Sequence, residues 1–353
     1  MRRLTLTLAL SLLATDARAE TVDELRAACG ARDPALERVA EELATRRLSG
    51  ARATSADELA ALGRREHASL PGLRASVRSG AVGLLGSEPL ALAAAVGGPR
   101  ACGVASVSDG ARQALALVVA PRLATLSRTR ARARAGEWID VDARLLVDAT
   151  GARVIVLGPR GAPHGVPTSF EGGRVRARFS ADRAGVFLAQ IVADLADGPR
   201  PVAELVVRVG ADDARSDEVP GDLPVGADDA DDLATRVHAA RAAEGLPRLV
   251  RDRALDGLAA THAAKMARAG RAAHDVGDGS PDARVTAVLD VDLVGENVAH
   301  AGSVAAAHRA LWASPSHREN LLSPRFTQVG LGVARADDGT IFVAELFAVP
   351  TRR

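Results

Sequence analysis

A stretch with few large apolar side chains interrupts the chain before its last third. Residues 211–232 are rich in Asp, Gly and Pro. Such a segment buries too little apolar surface to offset the entropy lost when its backbone is ordered. We therefore expect a linker over residues 211–228, with independently folded units on either side. A chain of 353 residues is long enough for two or three units, each with its own core.

The N-terminus has the pattern of a secretory signal peptide. Two arginines precede an apolar run over residues 4–14, and Ala17 and Ala19 supply small side chains at the two positions that signal peptidase reads. We expect residues 1–19 to be removed and the protein to be exported, either to the periplasm or to the medium. No later run in the sequence reaches the ~18 apolar residues of a membrane-spanning helix.

Cysteine usage and charge narrow the possible chemistry. An oxidising compartment favours a disulfide between Cys29 and Cys102, the two cysteines of the chain; two buried thiols are the alternative. The sequence has 45 basic and 44 acidic residues, so no overall field attracts nucleic acid or anionic lipid. It has no Tyr and only 2% aromatic residues, which argues against platforms for base stacking. We expect no nucleic-acid partner.

Residues 20–122 are predicted to form a helical domain. Over residues 21–85, apolar side chains such as Leu36 and Val39 recur at helical spacing. Two apolar runs then flank an Asp-Gly pair at residues 109–110, which is a strong signal for a β-hairpin.

Residues 136–210 are predicted to form an immunoglobulin-like β-sandwich. Short apolar runs recur there between turns rich in Gly and Pro, at the spacing of a small sandwich. Val175, Ala177 and Phe179 alternate with arginines, so one face of this strand should be buried and the other exposed. His164 lies in a loop rich in Pro and Gly and is expected at the surface.

The two ends of the chain resemble each other. Residues 103–121 align without a gap on residues 332–350 and share Gly-Val-Ala, an Asp-Gly pair and a closing Pro. Asp33 in DPALERVAEEL likewise matches Asp252 in DRALDGLAATH. The repeat predicts that residues 20–122 are a shortened copy of the last domain. Chance similarity between two Ala-rich segments is the alternative.

Four polar side chains in the last third stand in settings that suggest a site: His274, Glu296, His317 and Glu345. Glu345 lies in the apolar strand IFVAELFAV, both faces of which are apolar. Burying an unpaired carboxylate is costly, so Glu345 either reaches a polar cavity or lies on the outer face of its strand. We expect the four side chains to gather in one solvent-accessible cleft. A hydrogen-bonded structural core is the alternative.

The sequence around these residues resembles the CAP superfamily. The similar motifs are GENVA, the helix with Trp312 that leads into SPSHRENLLSPRFTQVGLGV, and the closing strand. This superfamily comprises cysteine-rich secretory proteins, antigen 5 and pathogenesis-related proteins, and the resemblance is to its cysteine-poor bacterial branch. It covers residues 229–350 and implies an α-β-α sandwich for a domain at residues 229–353. The chain as a whole is then expected to be an α+β multidomain protein.

The resemblance also implies roles for the four side chains. In the family, two histidines and one or two acidic residues converge in a cleft, and some members bind a divalent metal there. His274 and His317 match the two histidines, and Glu296 matches the acid of the Gly-Glu-Asn motif. The second acid of eukaryotic members is absent, with Pro315 at about its position, and Glu345 is the candidate replacement. No cofactor is required, and a divalent metal such as zinc would be held by the two histidines.

Two functions remain open from the sequence. The first is a binding or interaction module for an unknown extracellular or envelope ligand, with the sandwich as a spacer or adhesion unit. The second is a metal-assisted hydrolase of peptides or cell-wall material, with Glu296 or Glu345 as the base. The sequence contains no H-E-x-x-H or G-x-S-x-G motif, which favours the first. The remaining histidines of this domain are expected at the surface or in helix packing: His238, His262, His300 and His308.

Overall fold

The computed structural model describes most of the chain after the predicted signal peptide. The described residues are 22–51, 54–81, 96, 98–127, 130–210, 219–222 and 226–351. Residues 1–19 lie outside these ranges. Three folded units follow one another along the described chain, and none of their helices combines the length and hydropathy needed to cross a membrane.

The N-terminal unit packs helices on a four-stranded sheet. Its elements are α1 (Val22–Ala28), β1 (Ala31–Arg32), α2 (Pro34–Leu48), α3 (Ala56–Arg65), β2 (Arg74–Ala81), β3 (Arg100–Ser108) and β4 (Arg112–Pro121). The strand order is β1-β3-β4-β2. The hairpin predicted around residues 109–110 is confirmed by the β3–β4 pair. The prediction of helix up to residue 85 is wrong beyond α3, because β2 is a half-buried edge strand whose hydrophobic alternation is weak.

Two local features hold this unit together. Asp33 caps α2 by accepting hydrogen bonds from the backbone N–H groups of Ala35 and Leu36. Cys29 and Cys102 form a disulfide, as the sequence predicts, with their Cα atoms 5.7 Å apart. The bridge ties α1 to β3 and closes a loop that separates the two cysteines by 73 positions.

The middle unit is a β-sandwich around one apolar core. Its strands are β5 (Ala124–Leu126), β6 (Arg132–Ala133), β7 (Glu137–Leu145), β8 (Gly151–Leu157), β9 (His164–Val166), β10 (Thr168–Glu171), β11 (Arg174–Ala181), β12 (Gly185–Leu195) and β13 (Gly198–Val209). They form the sheets β10-β11-β7-β5 and β6-β13-β12-β8-β9. The sandwich begins upstream of the predicted residue 136, because β5 pairs with β7. Its immunoglobulin type stays a prediction, and His164 is exposed as expected.

The C-terminal unit encloses a four-stranded sheet between helices. Its elements are α4 (Ala230–Ala243), β14 (Val250–Arg251), α5 (Arg253–Ala269), α6 (Pro281–Thr286), β15 (Val291–Ala301), α7 (Val304–Ala313), α8 (Pro315–Leu322), β16 (Gln328–Arg335) and β17 (Ile341–Pro350). The order is β14-β16-β17-β15. One face of β17 packs with α5, and the other packs with α4, α7 and α8. This is the helix-sheet-helix layering that the resemblance implies.

The described part of the predicted linker is fixed to the C-terminal unit. Residues 219–222 lie beside α4 and α7, where the backbone oxygen of Pro220 is 2.9 Å from Nε2 of His308. The next carbonyl, of Gly221, accepts a hydrogen bond from the fully buried Arg236. These contacts correct the expectation of a free linker, because its carbonyl groups satisfy donors that the helices bury. Residues 211–218 and 223–225 of this segment lie outside the described residues.

The sheets of the two end units have the same strand order and directions. In each, a two-residue strand runs parallel to the first strand of a hairpin, and the fourth strand pairs antiparallel with the second. Gly103 on β3 lies against Leu36, the third residue of α2, and Gly330 on β16 lies against Leu255, the third residue of α5. The sequence alignment, which matched Gly103 with Gly332, is therefore shifted by two residues. The C-terminal hairpin is also one residue longer at its turn.

A chain of polar side chains joins the three units. Arg64 on α3 donates to the carboxylate of Glu204 on β13, with Nε and Oε2 3.0 Å apart. Gln190, fully buried on β12, donates to the other oxygen of Glu204 at 2.8 Å. The Gln190 side-chain oxygen accepts a hydrogen bond from the backbone N–H of Ser316 in α8 at 3.0 Å. The N-terminal unit is thus connected to a helix of the C-terminal unit through the sandwich.

Candidate functional site

A cleft of about 410 Å³ lies between the C-terminal unit and the sandwich. On the C-terminal side it is lined by His274, Glu296 and His317. On the sandwich side it is lined by Arg153 and by the turn between β12 and β13. A volume of this size suits a small ligand or a few residues of a chain.

His274 and Glu296 form a hydrogen-bonded pair at this cleft. His274 lies in the loop after α5, and Glu296 lies on β15 with its side chain fully buried. Nδ1 of His274 is 2.8 Å from Oε2 of Glu296, while Oε1 of Glu296 accepts a hydrogen bond from Arg284 on α6. A carboxylate that holds one ring nitrogen fixes the orientation of the imidazole. Nε2 of His274 is therefore the nitrogen available to a ligand.

His262 and Asp278 support the loop that carries His274. His262 is fully buried on α5, with Nδ1 2.9 Å from Oδ2 of Asp278 and Nε2 3.0 Å from the backbone oxygen of Ala273. The two contacts fix the His262 ring between Asp278 and the backbone that leads to His274. Burial alone would raise the pKa of Asp278, but the hydrogen bond and charge of His262 and the charge of Arg284 outweigh it and lower this pKa.

This support was missed by the sequence analysis, which expected His262 in ordinary helix packing. Its position on the apolar face of α5 gives no sign of a polar partner, since Asp278 comes after a loop of irregular backbone. The turn-forming sequence DVGDG at residues 275–279 was the one signal present.

His317 enters the cleft from the first turn of α8. Its Nδ1 is buried and has no hydrogen-bond partner among the described residues. Burial lowers the pKa of His317 to about 3, with a further contribution from the charge of His274. The imidazole is therefore neutral at physiological pH, with Nε2 as its available nitrogen.

Two asparagines fix α8 to β15. Nδ2 of Asn297 donates to the backbone oxygen of His317 at 3.0 Å and to Oε2 of Glu345 at 2.9 Å. Nδ2 of Asn320 donates to the backbone oxygen of Glu296 at 3.2 Å and to Oδ1 of Asn297 at 3.0 Å. The sequence analysis did not single out Asn320, although it stands one helical turn after His317 on α8.

The structure places three of the four predicted side chains at the cleft, whereas Glu345 lies beneath it. Glu345 is fully buried on β17 and is not among the residues that line the cleft. Its Oε1 has no hydrogen-bond partner among the described residues. Burial raises the pKa of Glu345 to about 7, against the opposing effect of the hydrogen bond from Asn297. The sequence places Glu345 either in a polar cavity or on the outer face of its strand. The structure shows neither position.

The His and Glu side chains of the cleft do not form a closed metal site. Within the described ranges, no three His, Cys, Asp or Glu side chains are placed to share one ion. The nearest carboxylate, Glu296, already receives hydrogen bonds on both oxygens from His274 and Arg284. Structural zinc sites use four protein ligands and catalytic sites three. A metal held by His274 and His317 therefore stays a prediction.

The other predicted histidines lie away from the cleft lining. His238 and His308 are buried in helices, and His300 is an exposed residue whose ring stacks on Phe342. These positions agree with the surface and helix-packing roles expected of them.

Solved structures with similar regions come from several bacteria. An outer surface protein of Borrelia burgdorferi is 22% identical over 34% of this chain and 90% of its own, with a TM-score of 0.32. An extracellular protein of Bacillus anthracis containing an SCP domain is 16% identical over 63% of this chain and 88% of its own, with a TM-score of 0.31. A cysteine-rich secretory protein of Staphylococcus aureus is 11% identical over 64% and 87% of the two chains, with a TM-score of 0.29.

Sequence comparison assigns the C-terminal unit to a family. No curated protein sequence matches the chain. Residues 235–346, however, match the model of the CAP family, the cysteine-rich secretory protein family. This range includes α5, the Gly-Glu-Asn motif on β15, α8 and most of the closing strand β17. The C-terminal domain of this chain therefore belongs to the CAP superfamily.

Proposed function

We propose that this chain is an exported binding protein whose CAP domain and β-sandwich hold a ligand between them. The observation that carries the proposal is the cleft of about 410 Å³ lined by His274, Glu296 and His317. The polar groups of this cleft are held in place by partners behind them, as Glu296 is by Arg284. A recess with a few oriented polar groups among apolar side chains is typical of small-ligand sites.

Binding is favoured over hydrolysis because neither carboxylate that the sequence suggests as the base is free at the cleft. Glu296 already accepts a hydrogen bond on each carboxylate oxygen, from His274 and Arg284, and its side chain is fully buried. Glu345 is fully buried beneath the cleft and does not line it. A general base must come within hydrogen-bond reach of the proton that it removes.

Two observations support export. The first is the signal-peptide pattern of residues 1–19, with its arginines, apolar run and small residues before position 20. The second is the disulfide between Cys29 and Cys102, because structural disulfides persist in oxidising compartments outside the cytosol.

Calorimetry on the mature full-length protein tests the binding proposal. The probes are soluble peptidoglycan fragments and a casein digest, each titrated into the unaltered protein and into the double variant His274→Ala/His317→Ala. We expect heat with one probe that the double variant loses. His300→Ala is the control, because this exposed histidine is not among the residues that line the cleft. Equal binding by the double variant and the unaltered protein would place the ligand elsewhere.

A metal-assisted hydrolase of peptides or cell-wall material is the second candidate. It is favoured by the presence of two imidazoles in the lining of one cleft, His274 and His317. Zinc titration and turnover assays on casein and peptidoglycan test it with the same variants. Zinc binding together with turnover, both lost in the double variant, would establish the hydrolase and replace the binding proposal.

The N-terminal unit is proposed to be a degenerate copy of the CAP fold without its cleft chemistry. Its sheet has the strand order and directions of the C-terminal sheet. Asp33 and Asp252 cap the helices that follow the first strand of each sheet in the same way. The N-terminal unit has no Gly-Glu-Asn motif and no His-Arg pair. An experimental structure with unlike connections in the two units would contradict this proposal.

A further inference from the structure

The turn between β12 and β13 of the sandwich lies directly on the ring of His274. Gly198 opens β13 with a φ of +109°, a backbone conformation that side chains rarely adopt. A Cβ atom at this position would lie 2.7 Å from Cβ of His274 and 3.3 Å from its ring atoms Cγ and Cδ2. Both the backbone conformation and the available space therefore require glycine here.

The same pair of strands also holds the opposite side of the cleft. Gln190 on β12 accepts a hydrogen bond from the N–H of Ser316, the residue before His317 in α8. The buried side chain of Gln190 is itself held by Glu204 on β13. Strands β12 and β13 thus contact His274 through their turn and α8 through Gln190. The turn is fixed in place as a wall of the cleft.

The charged groups on this wall are engaged by opposite charges. Asp197, next to Gly198 in the turn, lies 3.8 Å from Arg200 and 3.9 Å from Arg271 of the CAP domain. Arg153 on β8 lies 3.8 Å from Asp194. Partly exposed pairs of this kind contribute little energy, but they leave the wall without an uncompensated charge. The wall therefore selects by shape more than by charge.

We propose that Gly198 is a specificity-determining residue of the CAP cleft. The sandwich restricts the space beside His274, so that the site admits a slender chain or chain end and excludes a bulky group. The CAP domain supplies the two imidazoles, and the sandwich decides how large a group reaches them. This inference rests on the proposed function, because it describes the binding site named there.

The test measures access to the histidines of the mature full-length protein and needs no ligand. The probes are diethyl pyrocarbonate and the bulkier di-tert-butyl dicarbonate, both of which modify neutral imidazoles. Modification of each histidine is followed by mass spectrometry at neutral pH, with the exposed His300 as the internal reference. In the unaltered protein we expect His274 to discriminate against the bulky reagent severalfold more than His300 does.

A pair of glycine variants distinguishes the effect of contact with His274 from the effect of backbone strain. Gly198→Ala adds a methyl group only 2.7 Å from Cβ of His274, so the contact between the turn and His274 must rearrange. The reactivity of His274 toward the bulky reagent should therefore change severalfold. Gly161→Ala is the matched control, because Gly161 also has a positive φ in the sandwich but no atom within 4 Å of the added methyl group. It should leave the reactivity of His274 unchanged.

Two results would overturn the inference. One is equal size discrimination at His274 and His300 in the unaltered protein, a measurement that does not depend on how any variant folds. The other is the same reactivity of His274 in Gly198→Ala and Gly161→Ala. Either result leaves the proposed function standing if calorimetry still shows a ligand that is lost with His274 and His317. Conversely, if calorimetry contradicted the proposed function, the size discrimination measured at His274 would still stand.

Discussion

The sheets at the two ends of the chain share an architecture but differ in polarity at one point. Gly103 pairs with Val118 across the N-terminal hairpin, and Gly330 pairs with Leu346 across the C-terminal hairpin. The residue before each partner therefore occupies the same place in its sheet, and this residue is Leu117 in the first sheet and Glu345 in the second. Both side chains are fully buried.

The strand next to this residue is also more polar in the C-terminal sheet than in the N-terminal sheet. Leu117 is opposite Ser76 on β2, whereas Glu345 is opposite Asn297 on β15. One residue earlier on each strand, β2 has Ala75 and β15 has Glu296. The fold thus forms with apolar or small residues at these places. The polar residues of the C-terminal sheet are therefore not needed to form the sheet, and they instead hold His274 and α8 in place at the cleft.

Exchanging the residue types of Leu117 and Glu345 gives the largest expected effect on stability. Leu117→Glu should destabilise the N-terminal unit by about 4 kcal/mol, because no amide faces the buried carboxyl there. Glu345→Leu should change stability by less than about 1 kcal/mol or increase it, because it removes a buried oxygen that has no partner among the described residues. Urea unfolding followed by hydrogen exchange reports each unit separately.

Leu117→Met is the control for this exchange, since it keeps the side chain apolar at a similar volume. An equal loss of stability in Leu117→Glu and Glu345→Leu would show that the two places are not equivalent. The loss would then come from packing specific to each sheet.

Close contact between sheet and helix gives the next largest effect. A Cβ on Gly103 would come within 2.1 Å of the α2 backbone, and one on Gly330 within 2.2 Å of the α5 backbone. Gly103→Ala and Gly330→Ala should therefore each cost about 3 kcal/mol, because the helix must move away from the sheet. Thermal unfolding of the variants, followed by hydrogen exchange in α2 and α5, measures both.

The turn glycines of the two hairpins provide the controls. Gly110 and Gly339 have positive φ values and no atom within 4 Å of an added Cβ, so each change to Ala should cost only about 1 kcal/mol of backbone strain. Unequal losses in Gly103→Ala and Gly330→Ala would show that the two contacts between sheet and helix are not equivalent.

These equivalences show how much the sequence can predict. The match of Asp33 with Asp252 agrees with their positions as caps of α2 and α5, because a capping residue and the apolar spacing of its helix are local signals. The later alignment was wrong by two residues at Gly103, since the hairpin turns differ in length and short Ala-rich strands define their register poorly.

The candidate site was predictable to a similar degree. Short motifs singled out His274, Glu296 and His317, and the three side chains line one cleft. The position of Glu345 was not predictable, because a strand with two apolar faces does not show which neighbour its polar residue meets. Gly198 was out of reach of sequence analysis, since its role depends on the contact between two domains.

The pH dependence of stability distinguishes the two sheets in a further way. The pKa of Glu345 is about 7 in the folded protein, above its ordinary value of 4.5, so the folded state binds the proton more tightly. The resulting stability is present below the ordinary pKa and is lost as the pH rises through about 7. Titration of Glu345 should therefore lower the stability of the C-terminal unit by about 2 kcal/mol between pH ~5 and ~8. His317, whose pKa is lowered to about 3, contributes in the opposite direction.

Glu345→Gln isolates this effect, because it keeps the shape of the side chain and removes the titration. Denaturation over this pH range should show that the stability of the unaltered C-terminal unit, relative to that of the variant, falls as the pH rises. The contribution of His317 is common to both proteins and cancels in this difference. The N-terminal unit, with Leu117 in the equivalent place, serves as the reference within the same molecule. The same pH dependence in Glu345→Gln and in the unaltered protein would contradict the role of Glu345.

The smallest expected effect concerns how the two end units are attached to the sandwich. The N-terminal unit reaches Glu204 through Arg64, and the CAP domain reaches Gln190 through the N–H of Ser316. Gln190→Leu removes the acceptor of that N–H and should destabilise α8 locally by about 1 kcal/mol. The amide of Ser316 should then exchange hydrogen about fivefold faster, which is the rate equivalent of this free energy.

Gln113→Leu is the matched control, since Gln113 donates to Ser106 within the N-terminal unit and contacts no other unit in its described hydrogen bonds. It should leave exchange in α8 unchanged. If Gln190→Leu likewise leaves the Ser316 amide protected, α8 is held by Asn297 and Asn320 alone. The sandwich would then form a wall of the cleft without positioning the helix that carries His317, and the two end units would differ only in their own sheets.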